Sequence, residues 1–256
     1  MAEPDLSGCT VWLTRPAERA EPWRQALIAA GAKVVVEPLL CIAPPDDEPA
    51  AAAGLARAEQ ADCVIATSAN AVAGIARLRP GWCPRGRLIA VGTATAEALV
   101  EQTGKRVATP ATSNSEGLLA MPELAEVADR RIAVLAGHGG RAELADTLAA
   151  RGAQIDKIAL YRRCSAAIAP ARIDELIGGA DALVITSSES WQNLSERLTA
   201  DQRRALGRLG LVAASRRVVQ QAGYDIDWSV EPVVIERMDA SGAVIALDRI
   251  WSARRQ

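Results

Sequence analysis

The chain has 256 residues, of which 50% are hydrophobic, and its 29 Lys and Arg against 31 Asp and Glu leave a formal charge of −2. This length suits one large domain or two of ordinary size, and the near-balanced charge argues against a nucleic-acid-binding protein, which normally carries a basic excess. No apolar run approaches the roughly 18–20 residues of a membrane span, and the acidic start MAEPDLSG is unlike a signal peptide. We therefore expect a cytoplasmic protein that binds neither nucleic acid nor membrane.

The first predicted module is a strand, a helix and a second strand, and it occurs twice. Residues 9–42 and 131–163 each contain a short apolar strand, a polar turn with arginine, an amphipathic helix, an A-x-G-A stop and a second β-rich segment. Gly31 and Gly152 stand where a helix C-cap favours positive φ. The similarity indicates an internal repeat.

Two further pairs of segments repeat in the same order. Residues 61–72 (ADCVIATSANAV) match 180–191 (ADALVITSSESW), each with an apolar strand followed by Thr-Ser at the start of a helix. Residues 86–104 likewise match 207–223. Three ordered matches predict that the chain is a duplication of strand–helix modules.

Strands that alternate with helices predict an α/β fold with parallel sheets flanked by helices. Ligands bind beyond the carboxyl ends of the strands in such sheets. The pairs Thr67-Ser68 and Thr186-Ser187 fall at those ends, as do Gly92-Thr93 and Ala214-Ser215. Two similar domains would bring these edges together, so we expect a ligand cleft between them.

Two segments between the modules suggest domain boundaries. Residues 44–49 (PPDDEP) disfavour a helix and predict a linker, and residues 164–170 predict a second linker. Two linkers allow a discontinuous layout, in which one α/β domain consists of residues 1–42 plus 164–256 and the other, 44–161, is inserted into it.

Cysteine and histidine usage bears on metal and redox chemistry. The cysteines are widely spaced and never form a C-x-x-C pair, and His138 is the one histidine, so no zinc or iron–sulfur ligand set can be drawn. The thiols are expected to be reduced and largely buried, as in a cytosolic protein. They belong to Cys9, Cys41, Cys63, Cys83 and Cys164.

Six motifs in consistent order together resemble the bacterial uroporphyrinogen-III synthases, and the similarity spans roughly residues 10–225. They are L-T-R-P-A, D-x-V-I-x-T-S-A-N-A-V, A-V-G-x-A-T-A-E-A-L, S-N-S-E-G-L-L-A, G-G-R-x-x-L-A-D-T-L-x-x-R-G-A and L-Y-R-R. The resemblance implies a lyase that cyclises hydroxymethylbilane to uroporphyrinogen III with inversion of ring D. It also implies two α/β domains joined by a two-stranded connector, no cofactor, a monomer, and a hand-over of substrate from the upstream deaminase.

A substrate with eight carboxylates needs hydrogen-bond donors in a fixed layout, which helix N-termini and arginines provide. The alternative is that the Ser and Thr residues only cap their helices and that the arginines are solvated. The predicted substrate-binding residues are Arg15, Thr67, Ser68, Asn70, Thr93, Thr95, Ser115, Arg141, Ser187, Ser188 and Ser215.

Tyr161 matches the tyrosine to which the family resemblance assigns help in the departure of the substrate hydroxyl. A neutral phenol can donate a hydrogen bond to that oxygen. The alternative is a tyrosine that packs at a domain hinge. Tyr161 is the predicted catalytic residue.

Some positions depart from the family pattern. Ala136 stands where many members have arginine, and Ala213-Ala214 replaces a turn that more usually contains glycine. A non-catalytic module that binds an anionic tetrapyrrole is therefore the second hypothesis. A two-lobed solute-binding protein is a weaker third one, because such proteins need an export signal.

Overall fold

The structure is a computed structural model that describes residues 4–140 and 142–255. The chain folds into two compact units. The composite unit is built from the chain up to Cys41 and from Cys164 onward, and the inserted unit runs from Ile42 to Arg163. Both contain a sheet with parallel strand pairs and helices packed on it, so the predicted α/β class is confirmed.

Strands and helices alternate along most of the described chain. The strands are β1 (Thr10–Leu13), β2 (Lys33–Val36), β3 (Leu40–Ala43), β4 (Cys63–Ala66), β5 (Arg87–Ala90), β6 (Val107–Ala108), β7 (Arg131–Gly137), β8 (Gln154–Ser165), β9 (Ala182–Ile185), β10 (Gly210–Ala213) and β11 (Val233–Val234). The α-helices are α1 (Ala17–Ala29), α2 (Glu48–Ala58), α3 (Ala69–Leu78), α4 (Thr93–Thr103), α5 (Ser115–Leu119), α6 (Glu143–Ala150), α7 (Pro170–Gly179), α8 (Ser188–Ser195), α9 (Ala200–Leu206), α10 (Arg216–Asp225) and α11 (Ala240–Arg254).

The composite unit has the strand order β11-β10-β9-β1-β2, with parallel pairing. Alternation along β1 sends Trp12 into an apolar layer with helices α7 to α10, and Val11 and Leu13 into another with α1 and α11. Strands buried on both faces in this way are typical of parallel sheets. Helices therefore cover both faces of this sheet.

The inserted unit has the strand order β3-β8-β7-β4-β5-β6. Its run from β8 to β6 repeats the composite order from β2 to β11, with β7 in the place of β1 and β4 in the place of β9. The three sequence repeats map onto equivalent strands and helices, which supports the predicted duplication. Gly31 and Gly152, which follow equivalent helices, have φ values of 96° and 90°, as the predicted helix stops require.

Each sheet has a reversal point, on either side of which successive strands are added towards opposite edges of the sheet. It lies between β1 and β9 in the composite unit and between β7 and β4 in the inserted unit. Connections leave such a point on either side, which opens a crevice at the carboxyl ends of the two strands. The repeat thus produces one candidate ligand edge in each unit.

The predicted linker at residues 44–49 is partly wrong, because α2 already begins at Glu48. The Asp47 side chain accepts a hydrogen bond from the Ala50 N–H and so caps the helix. Pro49 lies in the first turn, where a missing N–H costs nothing. Pro49, one of the prolines that suggested a linker, therefore lies at the start of a helix.

The expectation of reduced and largely buried cysteines also needs correction. Cys41 and Cys164 form a disulfide, with a Cα–Cα distance of 5.2 Å across a sequence separation of 123, and Cys83 is exposed. The neighbouring strands β3 and β8 bring the bonded pair together. Cys9 and Cys63 are buried free thiols, and burial raises the pKa of each to about 12.

Within the described ranges, none of the helices is both long enough and apolar enough to cross a membrane.

Candidate functional site

Thr67 ties the end of β4 to β7 at the reversal point of the inserted sheet. Its N–H and its hydroxyl both donate to the Leu135 carbonyl, at 3.0 and 3.1 Å. The hydroxyl proton is therefore used inside the fold, and in this arrangement it is not available to a carboxylate. The structure gives Thr67 a bridging role between strands that sequence reasoning did not anticipate.

Ser68 and Tyr161 meet at the same edge. Ser68 caps α3, where its Oγ accepts the Ala71 N–H at 3.2 Å, and its hydroxyl donates to the Tyr161 Oη at 3.1 Å. Tyr161 is 6% exposed, and its ring packs in the apolar layer under α3. Asn70 lies half-buried in the first turn of the same helix. Ser68 and Tyr161, both predicted site residues, are thus joined by a hydrogen bond.

The turn before α4 combines one exposed and one buried threonine. Gly92 is the N-cap residue, Thr93 is exposed as the first helical residue, and Thr95 is only 6% exposed. A Cβ at Gly92 would lie 2.7 Å from the Ser113 Oγ, so the chain before α5 packs closely against this turn. Of the two predicted threonines, Thr93 is the one that faces solvent.

The cap of α5 is Asn114 rather than a serine. Its side chain accepts the Gly117 N–H at 2.7 Å. Ser115 follows as the first helical residue and is half-buried. Asparagine is as good a cap as serine, so the S-N-S-E pattern allowed either assignment.

In the composite unit, Thr14 and Arg15 follow β1 at its carboxyl end. The Thr14 hydroxyl donates to the Val184 carbonyl of β9 at 2.7 Å. This bond joins the strands equivalent to those joined by Thr67, but its donor follows the other strand of the pair. The Arg15 guanidinium lies 4.1 Å from the ring centre of Trp23, and its buried Nη1 has no hydrogen-bond partner among the described residues. Burial, followed by the charge of Arg19, lowers the pKa of Arg15. The result is a partly desolvated cation with one buried nitrogen for which the described part of the chain offers no partner.

Ser187 and Ser215 cap helices that follow β9 and β10. The Ser187 Oγ accepts the Ser190 N–H at 3.0 Å and lies 2.7 Å from the Ser190 Oγ, while Ser215 accepts the Val218 N–H at 3.4 Å. Ser188 is the first residue of α8 and is half-buried. Both serines therefore have the capping role that was left open as an alternative. Each cap satisfies one N–H group, and the other N–H groups of the first helical turn still face this edge.

Arg141, a predicted ligand, lies outside the described residues. Its neighbour His138 donates its backbone N–H to the Tyr161 carbonyl at 2.8 Å and so belongs to the backbone frame of the site. Gly137, which sequence reasoning passed over, pairs directly with Tyr161. Nothing but its place in the turn A-G-H-G-G marked it.

These groups suit an acidic organic ligand. Helix starts at the carboxyl edge of each sheet present backbone N–H groups and positive dipole ends. Arg15 adds to the composite edge a buried nitrogen that has no hydrogen-bond partner among the described residues, and Tyr161 adds a phenol to the inserted edge. Among residues 4–140 and 142–255, no three His, Cys, Asp or Glu side chains are grouped so that they could hold a metal ion.

Comparison with known proteins places the chain in a recognised group. Residues 21–240 match a family model described as "Uroporphyrinogen-III synthase HemD". A protein of Salmonella typhimurium named uroporphyrinogen-III synthase is 33% identical over 192 residues, which are 72% of this chain and 78% of that protein. Its namesake in Escherichia coli is 32% identical over 161 residues, 61% of this chain and 65% of that protein.

The fold has a solved counterpart. A mutant uroporphyrinogen III synthase from Thermus thermophilus superimposes with a TM-score of 0.58 at 20% identity, covering 96% of this chain and all of that one. At 20% identity, this structural similarity supports a shared fold and nothing more.

Proposed function

We propose a reaction for this chain on one established premise: it belongs to the uroporphyrinogen-III synthase family. The family model and the named relatives support synthase activity, a cyclising lyase reaction of tetrapyrrole biosynthesis, over a non-catalytic binding module. The substrate is hydroxymethylbilane, and the product is uroporphyrinogen III with ring D inverted. The observation that carries this proposal is the family match over residues 21–240, which includes the carboxyl edge of the inserted sheet.

The reaction calls mainly for positioning. The substrate loses its hydroxyl to give an azafulvene, which closes through a spiro intermediate that rearranges ring D. Electron-rich pyrroles also close without an enzyme, to the uninverted isomer. The protein must therefore hold the chain of pyrroles so that the spiro route wins and must stabilise the developing charge.

The carboxylates of the substrate are bound by donors at the carboxyl edges of the sheets. Arg15 binds one of them, because its guanidinium is partly desolvated and its buried Nη1 has no hydrogen-bond partner within residues 4–140 and 142–255. Free first-turn N–H groups of α3, α4, α8 and α10 bind others. Of the predicted hydroxyls, that of Thr93 is the most accessible.

Tyr161 assists the departure of the substrate hydroxyl. Ser68 donates to the Tyr161 oxygen, which leaves the phenolic proton to donate to the leaving oxygen. A neutral phenol performs this role without being ionised. The hydroxyl leaves as water when it takes up the proton of its own pyrrole N–H, so the neutral azafulvene forms and the phenol keeps its proton.

The isomer composition of the product tests the proposal. Hydroxymethylbilane is generated with the upstream deaminase, this chain is added, and the products are oxidised and separated. An excess of the type III isomer over the spontaneous mixture is expected. A ratio equal to that of the mixture without the chain would exclude synthase activity.

The chain acts as a monomer in the cytoplasm and takes its substrate directly from the upstream deaminase. A hand-over of this kind is chemically useful, because free hydroxymethylbilane cyclises spontaneously to the wrong isomer. Light scattering during size exclusion measures the mass against the 27.0 kDa of one chain. Competition by the Tyr161→Phe chain, whose turnover we expect to be low, tests the hand-over in the coupled assay, since a channelled substrate makes that variant inhibitory.

A further inference from the structure

The pairing of β7 with β8 contains an irregularity next to the predicted catalytic residue. The two strands pair regularly up to Ala136 opposite Ala159, but the next residue, Gly137, lies opposite Tyr161. Leu160 is thus an extra residue on β8, which is the definition of a β-bulge. Bulges change the direction in which the following side chain points.

The bulge places two consecutive side chains of β8 in one apolar layer. Strict alternation would send Ile158 and Leu160 to one face of the sheet and Tyr161 to the other. Instead, all three belong to the layer beneath α2, α3 and α4. The extra residue therefore turns the Tyr161 ring toward α3.

Gly137 provides the space that the Tyr161 ring occupies. A Cβ at position 137 would lie 2.6 Å from the Cζ, 2.8 Å from the Cε2 and 3.0 Å from the Oη of Tyr161. The φ of Gly137 is not positive, so its backbone conformation does not itself call for glycine. The absence of a side chain is required by the ring and its hydroxyl.

Two hydrogen bonds hold Tyr161 in addition to the close approach of its ring to Gly137. The backbone carbonyl of Tyr161 accepts the His138 N–H at 2.8 Å, and its hydroxyl accepts from Ser68 at 3.1 Å. The side chain is thus fixed by its backbone, by its ring face and by its hydroxyl.

We propose that Gly137, together with the bulge opposite it, is the positioning residue for the Tyr161 hydroxyl. This inference rests on the proposed function, because it assigns Gly137 a role in the departure of the substrate hydroxyl. Gly137 has no side chain with which to act on the substrate. It acts by allowing the phenol to lie where Ser68 can donate to it.

A methyl group at position 137 must push the ring away. The nearest atoms belong to a buried aromatic ring, so the ring and its hydroxyl shift together. A displacement of about 1 Å of a catalytic group can cost about 10²-fold in rate. Gly137→Ala therefore lowers kcat by about 10- to 100-fold and leaves the KM for hydroxymethylbilane within about twofold, because the carboxylate-binding groups are elsewhere.

A double-mutant comparison separates positioning from general damage. Once the hydroxyl is removed in Tyr161→Phe, Gly137→Ala has nothing left to misplace, so the double variant matches Tyr161→Phe in kcat within about twofold. The same loss of kcat from Gly137→Ala in both backgrounds would overturn the proposal. Gly223→Ala is the matched control, because a Cβ there meets nothing within 4 Å.

The chain also allows the phenol to be observed directly. It has two tyrosines and no phenylalanine, so 3-fluorotyrosine labelling yields two fluorine resonances, and Tyr224→Phe assigns them. We expect Gly137→Ala and Ser68→Ala to shift the Tyr161 resonance. Gly223→Ala and Ser187→Ala should leave the resonance in place. Ser187→Ala removes the same kind of helix cap as Ser68→Ala, but the cap of Ser187 is made to Ser190 and not next to Tyr161.

The fluorine measurement also separates this inference from the proposed function. A wild-type chain that forms no type III isomer contradicts the function, whereas the resonance tests the geometry regardless of activity. An unchanged Tyr161 resonance in a folded Gly137→Ala protein would overturn the positioning role. If Gly137→Ala does not fold, Ser68→Ala decides: a shifted resonance with reduced kcat supports the hydroxyl placement, and an unchanged resonance overturns it.

Discussion

Ser68 donates a hydrogen bond to the Tyr161 hydroxyl across 3.1 Å, while its own oxygen accepts the Ala71 N–H at the start of α3. The bonds run in one direction from the helix start to the phenol. Each bond in such a chain polarises the next, which makes the phenolic proton a better donor. The fold thereby links a helix cap to the group that we assign to the chemistry.

Removal of the Tyr161 hydroxyl should lower turnover. Tyr161→Phe keeps the ring that packs in the apolar layer and removes the donor, so we expect kcat to fall by about 10²-fold or more, with an unchanged circular dichroism spectrum. Tyr224→Phe is the control, because Tyr224 is 89% exposed. Full activity of the Tyr161 variant would remove this residue from the mechanism.

Arg15 should matter for binding and little for stability. In Arg15→Met the stacking on Trp23 is weakened, but a partly desolvated guanidinium with an unpaired buried nitrogen is also removed. We expect the free energy of unfolding to change by no more than about 1 kcal/mol. The KM for hydroxymethylbilane should rise about tenfold or more, as for a lost hydrogen bond to a charged group.

Steady-state kinetics and urea unfolding measure these two quantities separately. Arg24→Met is the matched control, since Arg24 lies on α1 in an exposed pair with Glu21. An unaltered KM in Arg15→Met would show that this arginine does not bind the substrate.

The bond between Cys41 and Cys164 should be detectable by thiol counting. Denatured, oxidised protein should contain three reactive thiols, those of Cys9, Cys63 and Cys83, and reduction should bring the number to five. Because the bond closes a long loop, Cys41→Ser should lower the free energy of unfolding of the oxidised protein by about 2–4 kcal/mol. Cys83→Ser serves as the control, and five thiols before reduction would contradict the bond.

Buried thiols should make the fold less stable at high pH. Burial raises the pKa of Cys9 from 9.0 to about 12, so above pH 9 the unfolded chain loses this proton before the folded one does. The contribution is complete below pH 9 and is lost as the pH rises toward about 12. We expect Cys9→Ala to show a shallower decline in urea-unfolding free energy across this window than the parent. Equal slopes in parent and variant would contradict the buried thiol, and Cys83→Ala is the exposed control.

Local signals made much of the fold predictable. Glycine at the end of an amphipathic helix has a direct steric reason to adopt positive φ, and Gly31 and Gly152 do so. Ser68 and Ser187 follow buried strands and stand at the starts of the next helices, as the Thr-Ser pairs predicted, and both act as caps, the role left open as an alternative. The repeat then predicted that the same alternation of strands and helices occurs in both halves of the chain.

Contacts between distant parts of the chain were not readable in this way. The Cys41–Cys164 bond depends on the adjacency of β3 and β8, and spacing along the chain carries no sign of it. The bond between Ser68 and Tyr161 depends on a single extra residue in β8, which shifts the register by one. A one-residue change in pairing alters which face a side chain occupies, and no local propensity records it.

The most direct test of synthase activity is the yield of the type III isomer per molecule of protein. The chain is mixed with freshly generated hydroxymethylbilane at about a hundredfold molar excess, since enzymes commonly turn over at about 1–10³ per second. We expect uroporphyrinogen III to exceed the protein greatly in molar amount before the spontaneous type I isomer accumulates. Type III product that never exceeds one molecule per chain, with type I dominant, would contradict catalysis and leave only binding.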